Sequence, residues 1–311
     1  MDTKLFIYCF ILIIEYYLII YYHHQDIKYQ IIKDHVHLND SIDLNTFMIN
    51  NLNNISNNLL LIPHLELGDN IVLNGAVRYY CKKYTKVILV CKILYYEQIK
   101  MMYSDLHNLL LFVIPENNDW LGYMKDHLPI DKKILKYYNV TFIPMLVIKP
   151  VYNIPEYFTH SPFPNHWYDE LNLNLDIAYS YFKINRNYIQ ENKLYNKLVN
   201  IIGNDYIVII DDEKRNFLIK DKYLSDIKYP FFKISANSKN ELNELDSVRD
   251  FTIFNYIKIL ENAKMIISIE SSIPWLIDMA NINTPTYIHT YCRGVIYDCE
   301  YRNSSIVKIN E

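Results

Sequence analysis

Short apolar runs recur along this chain with helix-length segments between them, and that rhythm restricts the fold more than any other feature. LLLI (59–62), KVILVCK (86–92), LLLFVI (109–114) and VTFIPML (140–146) are strand-like in the first part. YIVIIDD (206–212), FLIK (217–220), FFKIS (231–235), KMIISI (264–269) and PTYIH (285–289) follow in the second. Helical stretches fall at 70–84, 95–106, 118–127, 131–138, 188–202, 251–263 and 273–280. Strands that are apolar on both faces belong in buried parallel sheets, and parallel neighbours need crossover segments. The expected class is α/β. Residues 149–182 break the rhythm, with Pro150, Pro155, Pro162 and Pro164 among many aromatics. The pattern therefore divides into two Rossmann-like halves, 59–182 and 183–311, with parallel sheets facing a central cleft. A ligand is expected in that cleft, outside the carboxyl ends of the strands.

Two segments precede the halves. Leu5 to Tyr22 reads LFIYCFILIIEYYLIIYY, eighteen residues interrupted only by Glu15. Such a run just matches a bilayer, and a mid-helix acid costs about 3 kcal/mol on the insertion scale. We expect residues 1–24 to act as a membrane anchor. An amphipathic helix docked on the body is the alternative, and the chain without an anchor would be cytoplasmic. Residues 25–58 are a polar, Asn-rich lead-in.

A formal net charge of -4 gives no basic footprint, so nucleic acid is not an expected partner. Five cysteines without CxxC spacing suggest buried free thiols rather than zinc or disulfides. The thirty tyrosines, with abundant Asn, Ile and Lys, resemble the bias of AT-rich genomes such as those of some large DNA viruses. That bias lowers the information carried by any single Asn or Tyr.

Two stretches carry candidate chemistry. IPHLELGDNIVLNGAVRYY (62–80) holds two of only five glycines. Gly68 stands between a strand and a helix, where a turn would use its backbone freedom and let a ligand approach. Asp69 follows it. An Asp at a helix start is a favoured N-cap, and in a cleft it can also take a proton from a hydroxyl. His64 and Glu66 share the loop as secondary candidates. In ISIESSIPWLIDMA (267–280) a strand runs into Glu270, Ser271 and Ser272, then a helix with Pro274 in its first turn. Free N–H groups at that helix start suit phosphate, whereas Glu270 suits sugar or ribose hydroxyls. An ordinary cap explains the serines equally well.

Strand, loop, Leu67-Gly68-Asp69, a helix carrying Arg78 and a second strand resemble the start of heptosyltransferase-type GT-B glycosyltransferases. ILENAKMIISIESSIPWLIDMANINTPTYIH (259–289) resembles that family's second hallmark in the same order. The resemblance implies that Asp69 is the base that activates the acceptor hydroxyl. It also implies that Glu270, Ser271 and Ser272 face a nucleotide-sugar donor. The family's Asp is Glu270 here, its Gly is Ser272, and Trp275 stands where a His is common. The family often has a basic residue for the diphosphate after the first strand of the second half; Lys214 or Arg215 takes that place. The implied function is transfer of a sugar from a nucleoside diphosphate to a glycan or glycoprotein hydroxyl, with no cofactor and no metal.

Three rivals remain at this point. A metal-dependent GT-A enzyme would use Asp211 and Asp212 to hold a divalent cation. A degenerate GT-B fold could serve a structural or binding role. A sugar-nucleotide epimerase would turn over its donor without any acceptor.

Overall fold

The computed structural model describes residues 44–51, 57–63, 66–114, 138–142, 163–235, 252–293 and 299–310. Strands β1 (Asn58–Ile62), β2 (Lys86–Lys92), β3 (Leu109–Ile114) and β4 (Tyr138–Phe142) form one parallel sheet in the order β3-β2-β1-β4. Strands β5 (Ile207–Asp211), β6 (Phe231–Ser235), β7 (Met265–Ile269), β8 (Thr286–His289) and β9 (Ile306–Ile309) form a second, in the order β6-β5-β7-β8-β9. Because every ladder is parallel, the carboxyl ends of each sheet lie along one edge. The strand order reverses between β1 and β4 in the first sheet and between β5 and β7 in the second. Open α/β sheets bind their ligands at such reversals.

The runs that read as continuous apolar strands are buried accordingly. Every residue of β1 and β5 is buried. Around the sheets lie α1 (Leu44–Asn50), α2 (Leu67–Val72), α3 (Asn74–Lys83), α4 (Tyr96–Tyr103), α5 (Asn165–Glu170), α6 (Asp176–Ser180), α7 (Tyr188–Ile202), α8 (Ile257–Asn262) and α9 (Ser272–Met279). Helix α7 starts where the Asn187 side chain accepts from the Gln190 N–H at 3.2 Å. It stops at Gly203, whose φ of 85° is disfavoured for any residue with a Cβ. Helix α3 lies directly on α6. A Cβ at Gly75 would stand 2.3 Å from the Ile177 carbonyl oxygen and 2.6 Å from that of Ala178.

Arg78, on α3, is buried and ties that helix to the end of α4, to Asp105 and to the chain at Lys183. It makes a two-pronged pair with Asp105 at 2.9 and 3.1 Å and donates to the carbonyls of Met102 and Lys183 at 2.5 and 3.1 Å. The Arg78 guanidinium, together with Lys183 and Asn185, holds the Asp105 carboxyl well below the usual carboxylate range. Several tyrosines are also structural. The hydroxyls of Tyr168, Tyr206 and Tyr138 donate to the carbonyls of Val72, Ile259 and Met48 at 2.8, 2.8 and 3.0 Å.

Some expectations need correction. The helix expected over 70–84 is two helices, α2 and α3, with buried Leu73 at the turn between them. FLIK is not a strand: Phe217 makes only an isolated bridge to Asp212, and Ile219 packs against Ile207, Ile209, Ile267 and Ile269. Its apolar residues cover a sheet face instead of extending the sheet. Strand β9 and helix α1 were not expected, β9 because it is a half-exposed edge strand of four residues interrupted by Lys308. No disulfide joins the described cysteines: the thiols of Cys81, Cys91 and Cys299 are buried, and that of Cys292 is half-buried. Burial pushes the Cys81 and Cys91 thiols up to about 12. Among the described residues no helix is long and apolar enough to cross a membrane. The apolar segment 5–22, Cys9, and the helices expected at 118–127 and most of 131–138 lie outside the described residues.

Candidate active site

The loop that leaves β1 turns into α2 at Glu66, which is the residue preceding the helix and makes no side-chain cap bond. This corrects the capping role expected for Asp69. The turn closes earlier because the Asn70 N–H and side-chain amide both bond the Glu66 carbonyl, at 3.1 and 2.8 Å, and because Leu67 is buried. Asp69 is half-buried in the first turn of α2, where the helix dipole favours a negative charge. His64 lies outside the described residues.

Gly68 also differs from expectation. It sits inside the first turn of α2, and Gly203 is the one described glycine with positive φ. What Gly68 permits is a close approach. A Cβ there would stand 3.4 Å from Ser272 Cα and 3.8 Å from Ser272 N. The start of α2, the helix that follows β1, thus meets the start of α9, the helix that follows β7.

The rest of the first wall is tied together. The Glu66 carboxylate accepts from Lys92 Nζ and, at 2.7 Å, from the Tyr95 hydroxyl. Lys92 ends β2, beside β1. Neither Lys92 nor Tyr95 was expected; the signal was a lysine at the carboxyl end of an otherwise apolar strand.

On the second wall Glu270 is 3% exposed and follows β7 directly. Ser271 precedes α9 in an extended conformation, makes no cap bond, and its buried Oγ has no hydrogen-bond partner. Ser272 begins the helix. Trp275 is packed at ring-centroid distances of 4.8 Å from Phe163 and 4.4 Å from Tyr301. Behind it, buried Asp278 accepts from the Tyr179 hydroxyl at 2.8 Å and the Asn303 N–H at 2.7 Å, and burial raises its pKa. Those contacts fix α9 from behind and leave its start at the carboxyl edge.

The turn after β5 is more self-contained than expected. Arg215 Nε bonds its own neighbour Asp212 at 2.6 Å, the Arg215 N–H bonds the same carboxylate at 3.0 Å, and its guanidinium lies over the Phe217 ring. The side chain of Lys214 lies outside the described residues. Asp211 instead pairs with Lys233 of β6 at 2.8 Å, and Lys233 also reaches Glu213 at 2.5 Å. Burial opposes the Lys233 charge, yet the two carboxylates raise its pKa. Asp211 and Asp212 hence engage different cations. Among the described residues no three His, Cys, Asp or Glu side chains group in a way that could hold a metal. Lys233 was missed, although a lysine inside FFKIS was visible, and so was His289 at the last position of β8.

No known family profile matches the chain, and no curated protein matches it. Solved structures do. A glycosyl transferase family 9 protein from Veillonella parvula aligns over 81% of this chain and 85% of its own, with 9% identity and a TM-score of 0.50. The ADP-heptose LPS heptosyltransferase II of E. coli aligns over 81% and 90%, with 10% identity and a TM-score of 0.44. At such identities the likeness is one of fold. The chain is an α/β protein with two parallel sheets and the GT-B architecture of these enzymes.

Proposed function

We infer that this chain is a glycosyltransferase that moves a sugar from a nucleoside diphosphate to an acceptor hydroxyl without a bound metal. The contact of Gly68 with Ser272 carries the reading, because it brings together the helix starts at the carboxyl edges of both sheets. GT-B neighbours named for glycosyl transfer and ADP-heptose support the class. In this reading Asp69 takes the proton of the acceptor hydroxyl as its oxygen attacks the anomeric carbon. The bond to the diphosphate breaks and its electron pair leaves with the phosphate oxygen. The N–H groups of Ser272 and Ile273, at the positive end of α9, stabilise that charge, with Lys214 or Arg215 as the cationic partner. Glu270 and Ser271 face the donor. The acceptor is a glycan or glycoprotein, reached at a membrane if residues 5–22 anchor there.

Asp69→Asn is the test. It should lower transfer by about 10²-fold or more while leaving the melting temperature nearly unchanged. Transfer that survives in the variant removes Asp69 from the base role. A second reading, donor binding without turnover, is favoured by the Arg215–Asp212 pair and by the locked Trp275. Donor-induced stabilisation with no transfer to any hydroxyl acceptor would select it.

A further inference from the structure

A buried polar atom without a partner costs roughly 1–3 kcal/mol, so folded proteins keep few of them. Asp211 Oδ1, Ser271 Oγ and His289 Nδ1 are among those at the carboxyl edge of the second sheet. Asp211 ends β5, Ser271 follows β7 and His289 ends β8. Ile210 pairs with Ser268 and Ile269 pairs with His289, which puts Asp211, Ile269 and His289 in one row across the sheet. Side chains in one row of a parallel sheet share a face, and two strand spacings separate this pair by about 10 Å. Both groups are firmly placed. Asp211 is fixed through its other oxygen by Lys233, and His289 is 2% exposed with its ring 4.6 Å from that of Tyr223.

The chemistry of the three atoms narrows what could satisfy them. A carboxylate oxygen only accepts, so its partner must donate, which a fully ionised phosphate cannot do. Burial lowers the His289 pKa, which favours a neutral ring with one donor and one acceptor nitrogen. A serine hydroxyl gives or takes. A hydroxyl, which both donates and accepts, fits every position whichever ring nitrogen of His289 carries the proton. We propose that Asp211, Ser271 and His289 bind hydroxyl groups of a sugar, beside the diphosphate that the start of α9 would hold. The proposal rests on the glycosyltransferase reading, and the hydroxyls belong either to a ribose or to the transferred sugar.

His289→Phe keeps the ring packing and removes both nitrogens. Melting temperatures of wild type and variant would be taken alone, with UDP, GDP and ADP, and with UDP-glucose, GDP-mannose and ADP-heptose. The variant alone should melt at the same temperature or higher, because an unsatisfied group has gone. Its apparent affinity for the stabilising ligand should fall about tenfold or more. Weakening already seen with the nucleoside diphosphate assigns the ribose; weakening confined to the added effect of the sugar assigns the transferred sugar. A variant that melts clearly lower shows a structural bond at His289, and one that keeps every ligand shift shows no contact; either overturns the proposal. If no ligand stabilises wild type, the glycosyltransferase reading itself fails.

Discussion

The two walls of the candidate site treat their polar groups differently. On the first, Glu66 is engaged by Lys92 and Tyr95, and the neighbouring Arg78 is spent on Asp105 and two backbone carbonyls. On the second, Asp211 Oδ1, Ser271 Oγ and His289 Nδ1 are buried without partners. Paired groups of the first kind hold a fold in place. Unpartnered groups lower stability, and a natural protein keeps them where something else uses them. The first wall reads as the framed one and the second as the one that waits for a ligand.

Substitutions can break that contrast. Arg78→Met should be the most damaging, at about 3–5 kcal/mol, because it strands the carbonyls of Met102 and Lys183 and leaves Asp105 only Lys183 and Asn185. Chemical denaturation measures it, and a loss below about 1 kcal/mol would show that the first wall is not held by this network. Gly75→Ala follows, at about 3 kcal/mol, because the new methyl would meet backbone oxygens that cannot swing aside. Gly68→Ala, facing Ser272 Cα at 3.4 Å, should cost less than about 1 kcal/mol.

Acid titration sharpens the same point. The folded pKa of Asp105 is depressed by Arg78, so the unfolded chain binds its proton at the higher pH. This carboxylate therefore adds stability above its unfolded pKa of about 4, and the contribution disappears as pH falls toward the folded value. Melting temperatures from pH 5 down to pH 2 should fall more steeply in wild type than in Asp105→Asn. The smallest effect is expected on the second wall. Ser→Ala at a helix start ordinarily costs about 1 kcal/mol, but Ser271 makes no cap bond, so Ser271→Ala should change stability by less than about 0.5 kcal/mol. A full capping loss would mean that its hydroxyl is engaged in the free protein.

Much of the fold was legible because burial on both faces leaves a plain mark. β2, β3, β6 and α7 have the boundaries that apolar runs and an Asn-to-Gly span suggest. The edge strand β9 carries no such mark, since it is only four residues long, Lys308 interrupts it and Val307 is exposed. FLIK misled because an apolar residue needed to cover a sheet looks like one needed within it. The site was legible as loops but not as partners. Sequence showed Gly68, Glu270 and Ser271 beside strand ends, yet what Gly68 touches is a residue about two hundred positions away. Lys233 and His289 took their meaning only from sheet register, which no local pattern encodes.

Amide hydrogen exchange with and without a saturating nucleotide sugar shows which strand ends a donor covers. Exchange should slow at Asp211–Arg215, at Ser271–Ile273 and around His289, with a smaller effect at Gly68–Asn70. Protection confined to other parts of the chain, with these edge segments unchanged in a protein that binds the ligand, would contradict that placement.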